Sequence, residues 1–206
     1  MSAQALPRIT PEQYLEAERV AEFKSEYYGG QIYAMAGGTY PHATIILNLG
    51  GELRQMLKQR PCTVTTSEAR LRVSPGGLCT YPDVMVVCGD PMFADDQRDT
   101  VLNPTLIVEV LSKSTEANDR GFKFAQYRKL DSFREYALVS TAEPRVEKFL
   151  RQADGQWLLS ECAGAGAVCH FSSLDCQIAL TDIYDKVTFD AELGMGPGPA
   201  YPKSEI

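Results

Sequence analysis

A chain of 206 residues, 44% hydrophobic and 23% charged, is long enough to bury a core of its own and too apolar for a disordered or fibrous protein. Its formal net charge of -7 argues against a protein that coats nucleic acid through bulk positive charge. No apolar run approaches the roughly 20 residues of a membrane span, and the first nine residues lack the apolar core of a secretion signal.

One domain over residues 1–190 is expected, followed by a loose Gly/Pro-rich tail over 191–206. Cys62, Cys79, Cys88, Cys162, Cys169 and Cys176 form no CxxC pair, so reduced thiols in a cytoplasmic protein are expected. Cys162, Cys169, His170 and Cys176 cluster at spacings that fit no zinc template and read as small side chains on short strands.

In chain order, Thr10, Pro11 and Gln13 mark a helix start with a capping box. Residues 22–36 read as a hairpin turning at Gly29-Gly30. Ile45, Ile46, Leu49, Leu53, Met56 and Leu57 recur at helical spacing and predict a long helix over 41–59, with His42 in its first turn. Strands follow at 62–66, 69–73 and 84–88, with a turn at 75–77 and a polar loop at 90–100. The nearly continuous apolar run 105–111 predicts a central strand covered on both faces. Helical spacing returns over 116–130, then a strand from Glu135, a hairpin around Asp154-Gly155 and a short closing element at 177–187. This order predicts an α/β (α+β) sandwich with a mixed β-sheet flanked by helices, rather than an alternating doubly wound fold.

Two carboxylates stand out. Glu109 interrupts the apolar run between Val108 and Val110, and a charge there is costly unless it is paired or holds a metal. Asp83 heads the neighbouring apolar strand. Hard cations such as Mg²⁺ or Mn²⁺ take carboxylate oxygens, and a nearby lysine can stabilise charge growing on a phosphate. Lys123 lies on the following helix, where the spacing sets Asp119, Lys123 and Tyr127 on one face. Acid, acid and lysine together suit phosphodiester hydrolysis.

The segments YPDVMVV, IVEVLSKST, DRGFKFAQYRKL and EYALVS resemble the Uma family of restriction endonucleases, within the PD-(D/E)XK restriction-endonuclease-like superfamily. The resemblance extends to TPEQYLEAE, SEYYGGQIYAM and the helix beginning at His42, and covers about residues 9–188. It implies a Mg²⁺- or Mn²⁺-dependent endonuclease acting on DNA, with Asp83 and Glu109 as metal ligands and Lys123 as the catalytic lysine. The chain departs from the superfamily pattern at Leu111, which stands where ExK expects lysine. Lys123 matches the family's helical lysine instead, and Lys113 is its competitor. Glu26, in the hairpin's E-x-x-x-G, His42 and Tyr127 come with the resemblance as supporting residues. A homodimer is expected, since a duplex cutter benefits from two sites. The alternative, favoured by Leu111 and the net acidity, is a catalytically silent relative that binds nucleic acid or protein.

Overall fold

The computed structural model describes residues 8–189; the expected tail at 191–206 lies outside them. Helix α1 (Pro11–Glu18) starts as the capping box predicts. The Thr10 hydroxyl accepts the Gln13 N–H and Gln13 Oε1 accepts the Thr10 N–H, satisfying two donors that a helix start leaves open. Strands β1 (Ser25–Tyr28) and β2 (Gln31–Ala34) are joined by Gly29 and Gly30, with φ of 58° and 92°. Left-handed backbone at both central residues is what a two-residue type I′ turn requires.

Helix α2 (Tyr40–Leu57) buries Ile45, Leu49, Leu53 and Leu57. The expected apolar face is narrower than its sequence pattern: Ile46 is half-buried and Met56 is 36% exposed, because both lie at the margins of that stripe. There follow β3 (Cys62–Thr66), β4 (Arg70–Arg72), β5 (Cys79–Thr80), β6 (Val84–Cys88), β7 (Thr100–Val101) and β8 (Leu106–Val110). A helical segment comes next: α3 (Glu116–Asn118), a π-helical turn (Asp119–Lys123) and α4 (Phe124–Tyr127). Strands β9 (Glu135–Val139), β10 (Arg145–Arg151), β11 (Trp157–Ala163), β12 (Val168–Phe171) and β13 (Cys176–Ala179) lead into α5 (Leu180–Ile183).

Six strands form a mixed sheet in the order β11-β10-β9-β8-β6-β3, in which β8 and β9 are parallel and the other pairs antiparallel. The α/β expectation of a mixed sheet flanked by helices holds. The sequence did not announce a second sheet, β2-β1-β5-β4-β7, because β5 and β7 are two residues long and acquire their partners only through tertiary pairing.

Strand periodicity divides the core. Val84, Val86, Val108, Val110, Ala137 and Val139 face the α2 stripe. The alternate residues Met85, Val87, Ile107, Tyr136 and Leu138 pack with Tyr127 and Phe133 on the other side. All five residues of β8 are buried, so the apolar run is covered on both faces. Burying one such side chain stabilises the fold by roughly 1.5–3 kcal/mol.

The expectation of reduced thiols is corrected at four positions. Cys62 is bonded to Cys88 and Cys162 to Cys169, whereas Cys79 and Cys176 are free and buried. The reason is register: Cys62 and Cys88 stand directly opposite on β3 and β6, a long-range pairing that spacing alone does not reveal. Among the described residues no helix is long and apolar enough to cross a membrane.

Candidate active site

Asp83 and Glu109 are brought together by sheet register. Val84 pairs with Val108 across the antiparallel β6 and β8, which sets Asp83 opposite Glu109 on the same side of the sheet. Asp83 is held through one oxygen: its Oδ2 accepts the Val110 N–H at 2.7 Å and lies 3.3 Å from His42 Nε2. His42 reaches it because α2 begins beside the first residue of β6. The hydrogen bond to Asp83 holds the His42 imidazole above its ordinary pKa, against the opposing effect of burial.

Glu109 is 2% exposed. Its Oε1 accepts the Tyr127 hydroxyl at 2.6 Å and lies 3.3 Å from Lys123 Nζ. Burial pushes its carboxyl up to about 8; Lys123 opposes this, and the charges of Asp83 and Asp119 add to it.

Lys123 is the hub. Its ammonium lies 3.2 Å from Glu26 Oε1, 3.3 Å from Glu109 Oε1 and 3.2 Å from Asp119 Oδ1. Burial opposes its charge, but Glu109, Glu26 and Asp119 outweigh burial and raise its pKa well above the ordinary lysine value. Both ends of the π-helical turn, Asp119 and Lys123, are buried toward the sheet. The looser π winding lets these residues and Tyr127 project to one place, and such turns recur at functional sites. Glu26 arrives from the hairpin, where its carboxylate also accepts the Thr80 hydroxyl.

Every residue singled out from sequence therefore gathers here: Asp83, Glu109, Lys123, Glu26, His42 and Tyr127. Lys113 does not; it is exposed in the turn after β8. Leu111 is 5% exposed and packed in the core on the Tyr127 side, where an ammonium in its place would be costly. The sequence reading left Asp119 out of the site, although the 119/123/127 spacing placed it on the correct face. The structure adds it as a fourth carboxylate, with Oδ1 buried and lacking an aligned hydrogen-bond donor.

Three carboxylates thus share one lysine, with Asp83 beside them on His42, and that excess of acids suits a divalent cation. The donors are hard oxygens, and a cation would favour the ionised Glu109 that burial, and to a lesser degree Asp83 and Asp119, disfavours. Among the described residues no three His, Cys, Asp or Glu side chains enclose a metal by themselves. Mg²⁺ in particular is held by one or two carboxylates and keeps several waters, and Asp83 with Glu109 fit that mode.

A stability prediction follows from Glu109. Its folded-state pKa of about 8 exceeds the ordinary 4.5, so its contribution to stability is complete below pH 4.5 and is lost as pH rises toward 8. In chelator, Glu109→Gln should melt higher than the unmodified protein at pH 8 and not at pH 5. The expected gap is a few degrees, since about 1 kcal/mol moves Tm by roughly 2–4 °C in a chain of this size. Equal melting curves at both values would contradict the assignment of Glu109 as a destabilising buried acid.

Comparison with known proteins gives a consistent family. The family model described as "Uma2: Putative restriction endonuclease" matches residues 11–181. Two proteins of Synechocystis sp. are similar in sequence. "Uncharacterized protein sll1609" is 37% identical over 164 residues, 80% of this chain and 93% of that one. "Uncharacterized protein slr1290" is 34% identical over 185 residues, 89% of this chain and 95% of that one. In structure the chain is similar to a "putative nuclease belonging to DUF820" from Anabaena variabilis, with a TM-score of 0.71 at 18% identity, covering 87% of this chain and 99% of that one.

Proposed function

Because the chain belongs to the Uma2 family, we propose that it is a divalent-metal-dependent endonuclease that hydrolyses DNA phosphodiester bonds at the Asp83–Glu109–Lys123 cluster. The observation that carries this reading is the buried ammonium of Lys123 set 3.2–3.3 Å from Glu26, Glu109 and Asp119, with Asp83 across the strand pair from Glu109. A purely structural ion pair needs one acid for one base. This cluster carries a surplus of acids at a substantial desolvation cost.

In this reading Asp83 and Glu109 hold Mg²⁺ or Mn²⁺, which when bound neutralises phosphate charge and activates water. The chain's own residues do the rest. The Val110 N–H and His42 fix the Asp83 carboxylate, and the Tyr127 hydroxyl fixes Glu109. Lys123, fully charged at neutral pH, stabilises the charge that grows on the scissile phosphate. Hydrolysis adds water across the P–O bond that breaks. Glu26 and Asp119 hold the Lys123 ammonium in place between turnovers.

A cytoplasmic location, where such an enzyme would meet DNA, is part of the same proposal. A homodimer belongs to the same reading. Among the described residues no strand pairs with the outer edge of β11, and Leu158 and Leu159 on it are 57% and 56% exposed. Its only charged residue is Glu161, and it carries neither proline nor lysine, so little protects this edge. Sedimentation should show a dimer that Leu159→Lys shifts toward monomer; a monomeric unmodified protein would remove the dimer from the account.

The enzymatic reading is tested by incubating the protein with supercoiled, linear, single-stranded and branched DNA in Mg²⁺, Mn²⁺ or chelator. Cleavage that requires metal and Asp83 is expected. No cleavage of any substrate in either metal would favour the silent binding relative.

A further inference from the structure

Beside the catalytic cluster stands an exposed aromatic ring, Tyr33, outside the hydrophobic core. We propose that Tyr33 stacks on an unpaired DNA base adjoining the scissile phosphate, which makes single-stranded or locally unpaired DNA the preferred substrate over intact duplex. The proposal rests on the nuclease reading above and names its substrate class.

The placement comes from hairpin register. Glu26 on β1 pairs directly with Tyr33 on β2. Residues opposite one another in an antiparallel pair share a face, with Cβ atoms about 4.5–5.5 Å apart. Glu26 turns from that face to Lys123, so Tyr33 rises immediately beside the residues that would handle the phosphate. Tyr33 is 48% exposed, on an edge strand whose four residues are all exposed. The Tyr33 hydroxyl donates to Gln31 Oε1 at 2.7 Å, two residues along on the same face, which restrains the ring. Tyr28, also on that face, meets Phe122 edge-on at 4.7 Å, and Phe122 precedes Lys123. The wall next to the site is therefore aromatic.

Charge points the same way. Intact duplex is bound chiefly through several phosphate contacts, each neutralised by a lysine or arginine. Two cations next to the cluster are engaged by acids: Lys24 by Glu68, and Arg120 by Glu116 and Glu147. Lys113 stands exposed in the turn after β8, and the whole chain carries -7. A protein so charged gains little from a phosphate track. Base stacking on an aromatic ring tolerates any base identity, adds affinity that phosphate contacts do not supply, and requires a base that is out of its pair.

The test uses the full chain with DNA carrying 2-aminopurine, either in a single strand or in a duplex of the same sequence. Fluorescence quenching is read in Ca²⁺ and cleavage in Mn²⁺. The unmodified protein and Tyr33→Phe should quench the single strand and cut it faster than the duplex. Tyr33→Ala, with an unchanged melting temperature to show that it folds, should bind the single strand about tenfold or more weakly. Metal-dependent cleavage of duplex at least as fast as of single strand, with Tyr33→Ala quenching normally, would overturn the inference and leave the nuclease reading standing. Tyr33-dependent quenching without cleavage anywhere would support the stacking platform and overturn the nuclease reading. Neither quenching nor cleavage would remove both.

Discussion

Lys123→Ala should cut DNA about 10²–10³-fold more slowly than the unmodified protein while still binding Mn²⁺. The magnitude is that of removing one preorganised donor from a developing negative charge. The separation of metal binding from chemistry follows from geometry: Asp83 and Glu109 take their positions from the β6–β8 register and from Val110, His42 and Tyr127, none of which Lys123 supplies. Removing the ammonium also leaves Glu26, Glu109 and Asp119 without their shared cation. Repulsion among them then makes a bound divalent ion more valuable, so Mn²⁺ affinity should hold or rise. Lys113→Ala is the control, because Lys113 is exposed in the turn after β8. If Lys113→Ala lost activity and Lys123→Ala cut normally, the lysine assignment would be wrong.

Asp83→Ala should reduce cleavage to background and abolish stabilisation by metal. A ligand at one hundred times its Kd adds about 2.7 kcal/mol of stability, which for a chain of this size raises Tm by roughly 5–10 °C. The unmodified protein should show that rise with Mn²⁺ and Asp83→Ala should not. The substitution also strips the Val110 N–H of its side-chain acceptor and His42 of its partner. The melting temperature of each variant in chelator therefore serves as the baseline, and only the metal-dependent increment is compared. An increment that survived in Asp83→Ala would place the cation elsewhere.

How far the molecule was legible depends on the range of the signal. The α1 capping box, the Gly29-Gly30 hairpin and the α2 stripe are local patterns and appear as read. Strand β8 was recognisable as central because a five-residue strand buried on both faces leaves a nearly unbroken apolar run. The β2-β1-β5-β4-β7 sheet was not, because its β5 and β7 are created by contacts rather than by propensity. The same holds for the Cys62–Cys88 pair, which only register brings face to face.

In the site, Glu109 announced itself as a charge in an apolar strand. Lys123 was in view on the helix after β8, but its choice over Lys113 as the catalytic lysine rested on the family resemblance. Asp119 was visible on the right helix face, yet its membership depends on a π-helical turn and on Glu26 arriving from a hairpin far away in sequence. Neither has a sequence signature.

The claim on which the rest depends is that Asp83 and Glu109 hold one divalent cation between them. Calorimetric titration of Mn²⁺ into the unmodified protein, Asp83→Ala and Glu109→Gln measures this directly. The account predicts one ion per chain for the unmodified protein and a collapse of affinity in both variants. Undiminished binding in either variant would contradict it.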